Sequence, residues 1–268
     1  MTNYNKNIIS SLLSIILVIF IALMASKAYQ FSLEYDTQIS NQAEKNKIEY
    51  KIDNYLDSLN KTISNYISDY ISDEKEPLQN QKLSTANTSK TQMKYYTTLY
   101  FIALGTLLLT YFLSNKKIFL ISIITASLIS WFVGIFAPIM TMEIFKDLPL
   151  FGYTVFKYES KGIWTTIEKL WLLQNYFLSI MIALFSIFIP IVKTISLYFS
   201  TLTRVDIKYI DFVGKWSMAD VFIVSLLFTN LSLSADEFTD AKIQIALYFF
   251  CSYVILSILA SYLIKKSD

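Results

Sequence analysis

The sequence predicts an all-α polytopic membrane protein with about six transmembrane helices and a helical extracytoplasmic segment. Three observations carry this. Hydrophobic residues are 54% of the chain and charged residues 16%, against about 25% charged in soluble domains. Six apolar stretches come near the ~20 residues that cross a hydrocarbon core. The charges in the short links between them fit one alternating topology.

The spans are Ile8 to Ala25, Tyr95 to Ser114, Ile118 to Met140, Leu172 to Ser196, Trp216 to Leu233 and Ile243 to Ile264. The first reads as an uncleaved anchor. Its apolar run is long for a signal peptide, and Lys27 interrupts the candidate cleavage site. Orientation follows from the links. Asn115-Lys116-Lys117 is basic, and so is the link with Arg204, Lys208 and Lys215. The link with Asp236, Glu237 and Asp240 is acidic, and Lys265 and Lys266 follow the last span. Both termini are then cytoplasmic, with segments 28–94 and 141–171 facing outward.

Segment 28–94 carries an amphipathic stripe: Ile48, Ile52, Tyr55, Leu59, Ile63, Tyr66 and Tyr70, in steps of four and three. That is close to coiled-coil spacing. It fits a solvated spacer or a docking and self-association helix, ended by Pro77. The polar stretch Gln79 to Lys94 reads as a linker. In segment 141–171, Tyr153 to Tyr158 alternates like a strand, and Ile163 to Trp171 has the spacing of an interfacial helix.

The composition excludes several kinds of chemistry. No His means no imidazole base and no imidazole metal ligand. The single cysteine, Cys251, lies in an apolar run and reads as a packing residue. It can form neither an intrachain disulfide nor a metal cluster. No Gly-rich phosphate loop and no Gly-x-Ser-x-Gly occurs. A net charge of +2 does not suggest nucleic acid. The expectation is a protein that is no enzyme, with no cofactor and no metal.

Four features inside the spans stand out. Ser122, Ala126, Ser130 and Gly134, each four apart, form a small-residue stripe that lets a neighbouring helix approach. Pro138 ends the third span, and Pro190 sits late in the fourth, where proline kinks a helix. Lys193 and Asp220 are charges in apolar runs, each costing ~2.5–3.5 kcal/mol at the bilayer centre by insertion scales. Adjacent antiparallel helices bring them to similar depth, so they form an ion pair or each snorkels to the interface. Such charges are functional candidates.

The run Gly214-Lys215-Trp216-Ser217-Met218-Ala219-Asp220-Val221-Phe222 resembles the motif by which the paraquat-inducible protein A family is recognised. Ala137-Pro138 before Met142-Glu143-Ile144, Ser160-Lys161-Gly162-Ile163, and Pro190-Ile191-Val192-Lys193 are similar to further family features in the same order. The resemblance covers roughly residues 118–264, one four-span unit. Residues 1–117 lie outside it as a two-span module. Relatives commonly have two such units and zinc-binding cysteine ribbons, which one Cys cannot build.

The resemblance implies a bacterial inner-membrane protein acting on membrane lipids with a periplasmic MCE-domain partner, in envelope integrity. It makes Lys193, Asp220, Trp216 and Ser217 an intramembrane polar site. The alternative is a membrane sensor or scaffold of the envelope stress response that moves no lipid.

Overall fold

The computed structural model describes residues 2–59, 86–112, 115–148, 152–203 and 239–265. Among them five helices are long and apolar enough to cross a membrane. They are α1 (Thr2–Leu59), α2 (Ala86–Phe112), α3 (Lys116–Phe136), α5 (Tyr176–Thr203) and α6 (Ile245–Lys265). The expected fifth span, Trp216 to Leu233, lies outside the described residues.

The first span and the start of the amphipathic stripe are one continuous helix. No Gly or Pro interrupts residues 2–59, so nothing breaks the hydrogen-bond ladder between lipid and water. At 1.5 Å per residue α1 is ~87 Å long. The rest of the stripe, Ile63 to Tyr70, lies outside the described residues.

The expected linker Gln79 to Lys94 is corrected from residue 86 onward, where α2 begins. Two things overcome its polar composition. Thr91 within it, and Thr97 and Thr98 just beyond, each bond back to the carbonyl four residues earlier, satisfying their hydroxyls inside the helix. Ala86, Ser89, Met93, Tyr100, Ala103, Leu107 and Thr110 are buried, in steps of three, four and seven, a continuous helical stripe. α1 answers with Ile21, Ala25, Ala28, Ser32 and Tyr35, also buried. Phe31 stacks on Tyr96, and Lys90 lies over the Tyr35 ring, so α1 and α2 are antiparallel neighbours.

α3 and α6 form the centre of the bundle. Gly134 shows how close they come. A Cβ there would meet the Phe250 Cα at 3.0 Å. Ser122, Ala126 and Ser130 are buried along the same helix.

Although the protein is overwhelmingly helical, it carries a small antiparallel sheet in the order β2-β1-β3. β1 is Met140–Leu148, β2 Gly152–Lys161 and β3 Thr239–Ile243. The third span was expected to run to Met140, but α3 stops at Phe136. Ala137 before Pro138 is extended, as a residue preceding proline prefers. The freed backbone is used at once. Ile139 N donates to the Lys161 carbonyl, Gln244 N to that of Ile139 and Ala246 N to that of Pro138. These bonds gather the end of α3, the end of β2 and the start of α6 at one end of the bundle. Gly162 is required there, since a Cβ would lie 2.9 Å from the Ala137 carbonyl oxygen.

After Gly162, α4 (Ile163–Leu172) leads through Gln174, in the left-handed region at φ 63°, into α5. Leu172 to Asn175, expected as the head of the fourth span, therefore form the end of α4 and the elbow. The chain leaves α5 at the end away from the sheet, and the described residues resume in β3 at the sheet.

Candidate functional site

The lower half of α5, away from the sheet, buries a polar face and turns an apolar one outward. Its buried residues are Pro190, Lys193, Thr194, Leu197, Ser200 and Thr201. Ile195, Phe199 and Leu202 are exposed on its other side. Lys193 is only 5% exposed, so its side chain is covered by protein. In hydrocarbon, polar side chains turn inward toward partners or a cavity, and α5 follows that rule over about three turns.

Above this face the helix widens into a π-turn at Leu184–Phe188, where Ile189 N bonds to the Leu184 carbonyl. Pro190 follows within two residues. It has no N–H to donate to the Ser186 carbonyl four residues back. The Trp131 Nε1–H of α3 donates to that carbonyl at 3.1 Å. One turn on, the Pro190 carbonyl accepts from the Thr194 hydroxyl at 2.9 Å and the Tyr253 hydroxyl of α6 at 3.3 Å. Further down, Tyr198 meets Thr125 of α3 at 2.6 Å. Thr125 already donates to the Ile121 carbonyl, so Tyr198 is the donor in that pair. Helices α3, α5 and α6 thus meet through hydroxyl, indole and carbonyl groups along α5 from Ser186 to Tyr198.

On the far side of α3, Ser130 donates to the Ala126 carbonyl and accepts from the Tyr100 hydroxyl of α2 at 2.5 Å. The Tyr100 ring lies 4.3 Å from that of Phe249. The two-span module therefore reaches into the groove between α3 and α6.

A second polar group stands at the sheet. Glu143 of β1 is buried and meets Lys242 of β3 at 2.7 Å. Gln244 donates to the Thr141 hydroxyl at 3.0 Å. Tyr158 of β2 donates to Asp36 of α1 at 2.6 Å. Burial, and then the Asp36 carboxylate, hold the Tyr158 hydroxyl well above its ordinary pKa, so it stays a donor. Glu159 pairs with Lys169 at the surface.

Of the residues singled out in the sequence, Lys193 and Pro190 share the inner face of α5. Ser122, Ala126, Ser130 and Gly134 line α3, and Pro138 ends it. Trp216, Ser217 and Asp220 lie outside the described residues, and so does any pairing of Asp220 with Lys193. Trp131, Tyr198, Tyr253 and the Asp36–Tyr158 contact were not foreseen. One signal for Trp131 was present: a Trp inside a span needs an acceptor, and a proline four residues after Ser186 leaves one.

Several apolar helices around an inward polar face define a multi-pass membrane protein. Residues 119–267 match the family model described as Paraquat-inducible protein A. The match covers more than half of the chain, and the chain belongs to that family. Neither curated proteins nor solved structures gave a match. The two-span module up to Phe112 precedes the matched region.

Proposed function

We propose that the chain is the inner-membrane subunit of a bacterial envelope lipid-transport system, working with a periplasmic MCE-domain protein. The observation that supports this most is the buried polar face of α5, which carries Lys193 with Thr194, Ser200 and Thr201 inside the family unit. A lipid has a polar head and apolar tails. A polar seam beside exposed Ile195, Phe199 and Leu202 suits both parts at once. On this reading Lys193 and Asp220, with Trp216 and Ser217 beside the latter, form the polar site. The chain itself catalyses no reaction, and the energy comes from elsewhere. Both termini are cytoplasmic, which places the sheet on the periplasmic side, where the partner is met.

The test is a double substitution. A buried pair broken on one side leaves a lone charge, which is worse than removing both. Lys193→Met with Asp220→Leu should restore the membrane level that Asp220→Asn alone lowers, yet leave a deletion strain sensitive to detergent. Full complementation by the double variant would leave the pair as structural glue and remove the transport reading of this site.

The second reading is a sensor or scaffold of the envelope stress response. It is favoured by the unbroken α1, which runs from the first span past the Asp36–Tyr158 contact to Leu59 and can carry a movement outside to the bundle. A neighbouring reading frame with an MCE domain supports transport, and a neighbouring response regulator supports sensing.

A further inference from the structure

We infer that Trp131 is a positioning residue: its indole N–H takes the place of the backbone donor that Pro190 lacks, and so holds the π-turn that decides which face of lower α5 is turned inward. Three observations meet here. Pro190 lacks the N–H that an α-helical ladder would direct at the Ser186 carbonyl, and in the lipid core an unsatisfied carbonyl is costly. The Trp131 Nε1 lies 3.1 Å from that carbonyl, and Trp131 is buried. The carbonyl belongs to the π-turn itself, Leu184–Phe188.

A π-turn holds one extra residue, so everything below it is rotated by about 100° relative to an unbroken α-helix. If the turn closed up, each lower residue would move into the place of its successor. Thr194, Tyr198 and Thr201 would then occupy the places of Ile195, Phe199 and Leu202, which face outward. Phe199 would take the buried place of Ser200, and Lys193 that of Thr194. The turn therefore sets which residues make up the inward face, and Trp131 is the residue of α3 that grips it. This holds whatever the polar face carries.

The experiment uses the full chain in liposomes, in a Cys251→Ser background with a nitroxide on Phe199→Cys. Oxygen accessibility reports whether position 199 faces lipid. Trp131→Phe keeps the ring and removes the donor. It should lower Tm by roughly 5 °C, as loss of one buried hydrogen-bond donor predicts, and cut the accessibility of the probe severalfold. Adding Pro190→Ala restores a backbone N–H four residues after Ser186 and should recover both readings. Should Trp131→Phe fail to fold, the same expectation is that Trp131→Phe with Pro190→Ala folds and keeps position 199 in lipid. An unchanged probe in Trp131→Phe, or no recovery with Pro190→Ala, would overturn the assignment and leave Trp131 a packing residue.

Discussion

At the sheet, Glu143 meets Lys242 at 2.7 Å and Tyr158 meets Asp36 at 2.6 Å. Inside the bundle the contacts are Tyr198 to Thr125 at 2.6 Å, Trp131 to the Ser186 carbonyl at 3.1 Å and Tyr253 to the Pro190 carbonyl at 3.3 Å. The sheet contacts use ionised groups, and these bundle contacts use neutral ones. The difference follows from the surroundings. Near water, an ion pair can keep part of its solvation, as the 39% exposed Lys242 does beside buried Glu143. In hydrocarbon a charge is expensive, so hydroxyls, indoles and carbonyls share hydrogen bonds over short reach. Contacts of similar length should therefore cost very different amounts to remove.

The largest expected effect is at Glu143. Lys242→Met leaves a buried carboxylate without its cation. With Lys242 itself 39% exposed, the loss should be about 2 kcal/mol, below the range for a fully buried pair. Thermal melts of the purified chain check this, and Glu143→Gln added to Lys242→Met should recover most of it. A double variant no better than the single would mean that Lys242 acts by packing.

Tyr158→Phe should cost about 1–2 kcal/mol, since it removes a donor to a charged acceptor. Its pH dependence has a definite sign. The folded-state pKa is raised above the ordinary 10.0, so the folded protein holds this proton more tightly than the unfolded chain. The contribution is complete below about pH 10 and is lost as pH rises above it. The wild-type melting temperature should fall toward that of Tyr158→Phe above pH 10. A constant gap between them at high pH would refute the assignment.

Tyr198→Phe is the smallest effect. Thr125 keeps its own bond to Ile121, so nothing is orphaned, and the loss should be about 0.6 kcal/mol, the average for such bonds in membranes. A larger loss than that of Lys242→Met would reverse the contrast between the two regions.

The parts legible in the sequence were those set by local composition. Apolar length located the described spans, and Pro138 ended α3 before the third apolar run did. The family was readable from a short motif whose residues, Trp216 to Phe222, are contiguous. The alternation of Tyr153 to Tyr158 anticipated part of β2. Its partners did not announce themselves. β1 begins inside the third apolar run, and β3 is the five-residue segment Thr239–Ile243, too short for its period to be read. The stretch Gln79 to Lys94 looked like a linker by its polar composition, and from residue 86 it is helix, where the Thr91 hydroxyl is satisfied by the Asn87 carbonyl.

By itself the sequence determined a polytopic helical protein with a charged residue, Lys193, in an apolar run, because transfer from water to lipid depends on residue type and run length alone. Tertiary structure alone decided that Lys193 is covered, that Trp131 answers the carbonyl Pro190 leaves free, and that Glu143 finds Lys242 across two strands. These contacts join residues 55 and 99 positions apart. Their energy depends on distance and direction in space, and neither is written in the local order of residues.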